Sequence, residues 1–464
     1  MHKKFFNYFL FITLVGLFFS SCTVTKPYEA PVVVVDSLYR DVVSADTNTI
    51  AQLKWNDFFS DAYLKDLIEK GISNNLDLKV AMERITQANA YFDQSGAAFL
   101  PTLNANAGVS ANHLSDVQNP PVRNVMQYQL GLASGWELDI WGKLKSSKRA
   151  SFANLLQTEA ASRAVQTSIV AGVANYYYLL IALDQQLSIT EETVRNWDIT
   201  VETLKALKEA AKVTEAAVVQ SQAQRYAAEV TIPDLKQRIK ETENALSILL
   251  GLPPAKIVRS TLEDQNVTND LHAGIPAQLL GYRPDVQQAE YNFRYNFEMT
   301  NVARTYFYPS LNITGSAGLS ALSIDNLFSG GAFAGSIGAG LLQPILNQRV
   351  NKTRLTVAES QQRSALYDFK STLLNAGREV SDAISSIEFA GQKVSIRKNQ
   401  LNALEKSVEY SQELLQNGFA TYIEIITARQ SLLQAELGKV NDKLQQLQSE
   451  VNLYRALGGG WKKE

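Results

Sequence analysis

One thiol and three imidazoles, Cys22, His2, His113 and His272, are the whole stock of Cys and His side chains in 464 residues. A lone cysteine excludes an intramolecular disulfide and any multi-cysteine zinc or iron–sulfur site. Two histidines as distant as His113 and His272 do not make a catalytic metal centre. The chain has no phosphate loop of the G-x-x-x-x-G-K-[ST] type, no G-x-S-x-G turn and no H-E-x-x-H. Arg283-Pro284-Asp285 is the one charged cluster that resembles reactive chemistry. Proline in the first turn of a helix, an acid at the positive end of the helix dipole and an Arg–Asp ion pair account for it without catalysis. No enzyme activity, cofactor or metal is therefore expected. A near balance of 44 Lys+Arg against 46 Asp+Glu gives no reason to expect a nucleic-acid partner.

What chemistry the cysteine does have follows from its neighbours. Lys3 and Lys4 precede an apolar run from Phe5 to Phe19, broken mainly by Asn7 and Thr13, and small residues then lead to Cys22. A basic start, an apolar stretch too short to span a bilayer comfortably and small residues before a cut describe a secretory signal. Phe19-Ser20-Ser21-Cys22 resembles the lipobox of bacterial lipoproteins, in which the thiol is acylated before cleavage. By that resemblance Thr23, which is not Asp, implies sorting to the outer membrane, and several acyl chains make a stable anchor. Loss of Lys3 and Lys4 takes the net charge from −2 to about −4. The segment after Cys22, with Pro27, Pro31 and the Val32–Val35 run, reads as an extended leader rather than a domain.

The elements that must carry any function are marked by missing charge. Four windows, Gln94–Ser115, Asn124–Trp136, Thr305–Ile324 and Asn326–Gln348, hold no Asp, Glu, Lys or Arg. They total 78 residues in a chain that is 19% charged, so about fifteen charges are missing. Within each, apolar and small polar residues alternate: Leu103, Ala105, Ala107, Val109 against Asn104, Asn106, Gly108, Ser110, and Leu311, Ile313, Ala317, Leu319 against Asn312, Thr314, Ser316, Ser320. Period-two alternation without charge is the pattern of outer-membrane β-strands. Trp136 and Trp141 at one strand end, and Tyr306 and Phe307 at another, suit interfacial aromatic girdles. Four strands cannot close a barrel, and an open edge cannot face lipid. The chain is expected to borrow strands from copies of itself: twelve from three copies, or eight from two.

The remainder reads as helix. A 3–4 step of fifteen positions runs from Leu366 to Leu415, thirteen of them apolar, with no proline; this is a coiled-coil seam about 75 Å long. Subtracting 207 gives a second seam from Ile169 to Leu204 that includes Tyr176 and Leu180. The same offset places Leu250-Gly251 on Leu457-Gly458, and one residue of slippage places Phe99-Leu100-Pro101 on Phe307-Tyr308-Pro309 and Asp77 on Asp285. The chain is a tandem duplication of helix, strand pair, very long helix and returning helix. Pro101 and Pro309 each end a helix where a strand begins, and Gly251 to Gly274 reads as the linker between halves. The helix-to-helix turns are expected near Ala210–Thr214 and Asn417–Thr421.

With these parts in place the chain resembles the TolC-like outer-membrane factors, in particular their lipoprotein branch serving RND-type drug efflux. The matching stretches are Trp55-Asn-Asp-Phe-Phe with Asp61 and Leu64, Asn74-Asn75-Leu76-Asp77-Leu78, Trp136-Glu-Leu-Asp-Ile-Trp-Gly142, Leu249-Leu-Gly-Leu-Pro253, Tyr282-Arg-Pro-Asp-Val286 and Gly418 after Leu414-Leu415. The resemblance implies an α+β membrane protein. In it, a homotrimeric twelve-stranded outer-membrane β-barrel, four strands per chain, continues into a periplasmic α-helical coiled-coil barrel. It implies the passive channel of a tripartite efflux pump, with a periplasmic adaptor and an inner-membrane RND-type transporter as partners, outer-membrane lipid around the barrel and a covalent lipid on Cys22 as its one non-protein group. Exit ducts for protein secretion or metal-ion efflux are the alternatives, and a structural coiled-coil envelope protein is the remoter one. Three methionines after Cys22 (Met82, Met126 and Met299) weakly disfavour a copper route. Family gates carry two acids six and nine residues after the tip glycine; here those positions are Glu424 and Thr427, so one acidic ring is present and the other missing. Gly418 and Phe419 form the second turn tip, where an adaptor would dock, and Ala211 stands in the first tip where the second has glycine. The expected divisions are a signal peptide over 1–21, a lipidated leader over 22–54 and repeats over 55–260 and 261–464.

Overall fold

Two proline-ended helices feed a sheet, and two very long helices leave it. The computed structural model describes residues 24–33, 38–40, 48–113, 124–266 and 273–461; Cys22 and the signal segment before it lie outside the described residues. In chain order the helices are α1 (Trp55–Phe58), α2 (Ala62–Asn74), α3 (Leu76–Ala97), α4 (Lys143–Glu209), α5 (Glu215–Glu229), α6 (Thr231–Leu249), α7 (Leu279–Tyr282), α8 (Pro284–Thr305), α9 (Val350–Gln416) and α10 (Tyr422–Ala456). Strands β1 (Thr102–His113) and β2 (Asn124–Leu138) follow α3, and β3 (Ser310–Ala321) and β4 (Phe333–Leu342) follow α8. The chain forms two units: Met1–Val32, Ile85–Thr158 and Ala289–Phe369, and Val33–Arg84, Glu159–Gln288 and Lys370–Glu464. Each sequence repeat contributes to both.

In the first unit the four strands form one antiparallel sheet in the order β1-β2-β3-β4. The register sorts the side chains as the alternation requires. Ala107 pairs with Leu130, Leu130 with Leu319 and Leu319 with Phe333, so one apolar row crosses all four strands. On the other face Asn106 pairs with Gly131, Gly131 with Gly318 and Gly318 with Ala334. The apolar face is uncovered: Leu103 is 69% exposed and Ile337 87%. Pairing of Thr102 with Gly135, Leu138 with Leu311 and Ser310 with Leu342 brings α3, α4, α8 and α9 to the same end of the sheet. The leader is laid on this unit. The Lys26 amide donates to Asn301 Oδ1 (3.0 Å), Asn301 Nδ2 donates to Lys26 O (2.9 Å), and the Tyr28 ring meets Phe293 and Phe297.

In the second unit α4 and α10 pack with α2 and α6 around Leu64, Ile68, Val173, Leu180, Leu246, Leu447 and Val451. By length and composition α4 is apolar enough to cross a membrane, but its most apolar stretch is mostly buried in this core. The seam expected here needs one correction. Tyr176 is partly exposed, whereas Tyr177 is fully buried. Val173, Ala174, Tyr177, Tyr178, Leu180 and Ile181 are all buried, so α4 is covered nearly all round and a single-stripe period cannot say which tyrosine points in. The α9 seam lapses between Gly391 and Gln400, where Arg397 turns instead to Asp442 of α10 (2.8 Å). The returning helix of the first repeat is split at Val230, while α10 is continuous. Pro233 in the first turn of α6 has no amide to give to the preceding turn, which ends α5 there.

Both repeats close the same way. The helix ends in a left-handed glycine, Gly251 (φ 69°) or Gly458 (φ 90°), each within paired end-of-helix hydrogen bonds. A Cβ on Gly251 would lie 2.5 Å from Asn74 O, and one on Gly458 would lie 2.8 Å from the Arg283 amide nitrogen. Asn75 Nδ2 donates to Leu249 O (2.8 Å), and Arg283 donates to Ala456 O (2.8 Å), at positions matched by the duplication. Gly251→Ala is expected to lower stability by at least about 1–2 kcal/mol, from the αL conformation alone. Gly391→Ala, inside α9 with nothing near its added methyl group, is expected to raise it by about 0.5–1 kcal/mol. Thermal unfolding in detergent separates the two, and a stable Gly251→Ala variant refutes the first expectation.

Candidate functional site

The two turn tips lie in the second unit and share one backbone. In the first, the Ala211 amide donates to Lys208 O (2.8 Å) and the Lys212 amide to Leu207 O (2.8 Å). In the second, the Gly418 amide donates to Leu415 O (3.2 Å) and the Phe419 amide to Leu414 O (2.8 Å). Ala211 (φ 55°) and Gly418 (φ 78°) are both left-handed. The absence of glycine at the first tip therefore marks a strained copy of the same turn, not a different one. Thr214 and Thr421 are the matching N-caps. Leu204, Val218, Leu415 and Ile425 join the two hairpins in one buried cluster, with Val194, Trp197, Ala228 and Ile426 forming another. Gln430 donates to Gln224 across them.

The tips differ in what they show. Phe419 is 83% exposed. Glu424 and Thr427 are exposed one turn apart on α10. Glu424 also closes a capping box: its Oε1 accepts from the Thr421 amide (3.4 Å) and the Thr421 hydroxyl (3.3 Å). The matching residue of the first hairpin, Ala217, can do neither.

Further along α10 is a polar seam that sequence reading missed. Glu436 and Arg429 face Glu192, Asn196 and Trp197 of α4 across a small cavity. Burial, and then the carboxylates of Glu192 and Glu405, push the Glu436 pKa above the usual carboxylate range. Burial likewise lowers the Arg429 pKa; its NH2 group donates to Gln412 (3.3 Å), and its Nε is buried without a partner.

Three charged hubs hold these helices in place. Arg259, in the stretch expected to be a linker, donates to Asp184 (2.5 and 2.8 Å) and Glu243 (2.5 Å). Asp61 caps α2 through the amides of Tyr63 and Leu64, and its other oxygen accepts from Ser260 (2.5 Å), Tyr177 (2.6 Å) and Gln265 (2.8 Å). An acid just ahead of a helical run was the available signal for this hub. Arg283 forms the expected ion pair with Asp285 (2.6 Å) and a second with Glu379 (2.9 Å). Burial opposes its charge, and the two carboxylates more than offset that, so its pKa is raised.

The aromatic residues expected at separate strand ends meet at one, since β2 ends where β3 begins. Trp136 Nε1 donates to Phe99 O (2.9 Å), and Trp141 Nε1 donates to Pro309 O (2.7 Å) with its ring 5.1 Å from that of Tyr308. Tyr306 lies under two cations, with Lys143 5.1 Å and Arg354 3.7 Å from its ring centre. Trp136 and Phe307 are exposed, whereas Trp141 and Tyr306 are half-buried against their own chain. Among the described residues no group of three or more His, Cys, Asp or Glu is placed to hold a metal.

Burial disfavours the Asp61 carboxylate, but its hydrogen bonds from Ser260, Tyr177, Gln265 and the Leu64 amide outweigh this and lower its pKa. A lowered pKa stabilises the fold fully above the unfolded value, about 3.9, and that contribution is lost as pH falls through the folded value. Asp61→Asn is expected to cost about 1 kcal/mol at neutral pH, the solvent around the half-exposed carboxylate screening the rest. It should also flatten the loss of melting temperature below about pH 4. An unchanged acid limb in the variant would refute this.

Comparisons with known proteins agree with the geometry. The family model described as outer membrane efflux protein matches residues 67–252 and 275–459. The chain is 28% identical over 462 residues to the solvent efflux pump outer membrane protein SrpC of Pseudomonas putida, covering 96% of this chain and 97% of that protein. It is 27% identical over 433 residues to the probable outer membrane lipoprotein SilC of Salmonella typhimurium, covering 93% of each. The solved outer-membrane channel OprN superposes with a TM-score of 0.88 at 24% identity, covering 95% of this chain and 100% of that one, a likeness of fold.

Proposed function

The chain belongs to the outer membrane efflux protein family, and on that footing we propose that three copies form one duct whose periplasmic end is gated at the α9–α10 tip. The protein is an outer-membrane channel of tripartite efflux pumps, extending into the periplasm, and not an enzyme. The observation that carries the assembly is the sheet: four strands, an exposed apolar face and open edges at β1 and β4. In lipid those edges must pair. Joining β4 of one copy to β1 of the next gives twelve strands from three chains, an allowed even number. Two copies would give eight; the family's architecture favours three.

The finer assignments rest on residues. Cys22 follows a lipobox-like segment, and SilC bears the name of a lipoprotein; acylation at Cys22 anchors the leader. Phe419 and Gly418 at the exposed tip are where a periplasmic adaptor docks, with Ala211 marking the first tip. An inner-membrane transporter of the RND type then feeds the duct and selects its substrates. Glu424 supplies one carboxylate per copy, a ring that attracts cations and repels itself where the helices converge. Thr427 adds no second ring. Trp136 and Phe307 sit at the bilayer surface.

Purified full-length protein is expected to run in detergent at the mass of three chains and to give discrete conductance steps in a planar bilayer. A monomeric mass with no conductance under any gate-opening condition refutes the duct. For the gate, Glu424→Gln keeps the capping-box partner and removes the charge. It is expected to reduce cation selectivity without altering trimer yield, and unchanged selectivity would remove Glu424 from the gate. Glu424→Ala should in addition lose about 0.5–1 kcal/mol of helix-end stability.

A further inference from the structure

The helices that leave the sheet begin with the wrong charge. In each of the other helices of fifteen residues or more an acid stands in the first turn: Asp77, Glu215, Asp234, Asp285 and Glu424. That is where the helix dipole favours it. α4 and α9 have none. They open instead with Lys143, Lys145, Lys148 and Arg149, and with Arg349, Lys352 and Arg354. Cations are disfavoured at that end of a helix, and both halves of the duplication accept the penalty at the same end of the same sheet.

Two of these cations are neutralised, Lys143 by Glu137 and Arg149 by Glu298, and Asp139 is taken up by the amides of Leu144 and Lys145. Lys145, Arg349 and Lys352 are exposed and make no ion pair among the described residues. Apolar surface runs straight into them. Ile345 and Leu346, just after β4, are 90% and 97% exposed, and Trp136 and Phe307 are exposed at the same end. An exposed apolar band, then aromatics, then unpaired cations is the order of a surface passing from acyl chains to headgroups.

We propose that Lys145, Arg349 and Lys352 form a basic collar that binds the phosphates of anionic phospholipids in the leaflet around the helix end of the sheet. The collar rests on the reading that the sheet crosses a membrane. Its partner is a lipid surface, chosen by charge and by continuity with the apolar face. It holds the sheet at one depth by electrostatics where the apolar face alone permits sliding.

The test is retention of lipid by the full-length protein in mild detergent, offered equal amounts of phosphatidylglycerol and phosphatidylethanolamine and read by native mass spectrometry. Wild type is expected to retain the anionic lipid preferentially, and less so at high salt. Lys145→Gln, Arg349→Gln and Lys352→Gln together should abolish the preference, at roughly fivefold for each cation removed. Glutamine is tolerated at 349 because Gln348 already adopts the same left-handed backbone (φ 54°). A variant with Lys145→Arg, Arg349→Lys and Lys352→Arg should keep the preference. Equal retention of both lipids by wild type, or an undiminished preference in the glutamine variant, overturns the collar. Displacement of the lipid by excess inorganic phosphate assigns the cations to a free anion instead. Loss of the oligomer with the preference intact assigns them to a second copy of the chain. Conductance in the planar bilayer is expected to persist in the glutamine variant, so a failed collar and a failed channel remain distinguishable.

Discussion

Everything in the second unit depends on how a returning helix is stopped. Gly251 and Gly458 turn the chain into a conformation that a side chain would strain, and each turn lies against a helix junction, α2–α3 for Gly251 and α7–α8 for Gly458, with no room for a methyl group. One side chain then ties the loose carbonyls: Asn75 reaches Leu249 O, and Arg283 reaches Ala456 O. The two residues differ in size and charge, yet each supplies a donor to the same point of its repeat. Arg283 brings a charge that must be neutralised when buried, and Asp285 and Glu379 do so.

The sheet is governed by a different constraint. Its β1 and β4 edges carry unpaired backbone groups, and its apolar face has no cover within the chain. In water such a sheet aggregates; in lipid it must close. The small residues of the other face serve closure as well. Gly131 opposite Gly318 lets β2 and β3 approach without side chains between them, and a Cβ on Gly131 would lie 3.2 Å from Ala317 O. The collar at the helix end and the apolar face are two halves of one requirement, since burial sets which face meets lipid and charge sets how far the strands enter it.

Much of this was legible in the sequence because its cause is periodic. Alternation at Leu103 to Val109 and at Leu311 to Leu319 gave the strands and their faces, and the 207-residue offset gave the matched turns Gly251/Gly458 and Ala211/Gly418. What was not legible is where periodicity is silent. A helix buried on nearly all sides does not reveal whether Tyr176 or Tyr177 points inward. The Asp61 hub joins residues from 61 to 265 that no local spacing connects. The stretch after Gly251 reads as a linker from its prolines and glycine, yet Ile257 and Leu262 are buried and Arg259 anchors two acids. The meeting of Trp141, Tyr306 and Tyr308 required knowing that β2 and β3 pair, which belongs to the sheet and not to either strand.

The duplication separates what geometry demands from what function adds. Both tips keep the left-handed residue, the paired hydrogen bonds and the threonine cap, so these are required to reverse the chain. At the first tip Ala211 adopts the conformation against its preference, and Ala217 has no side chain that could reach back to the Thr214 amide. At the second, Gly418 removes the strain and Glu424 completes the cap while presenting a carboxylate to solvent. A carboxylate held by its own helix start has little freedom to turn away, so its charge is fixed in position before any second copy approaches. That is what a ring of charge needs. In the proposed ring the same carboxylate would stabilise the hairpin alone and oppose its neighbours, which would make the second tip the one suited to moving.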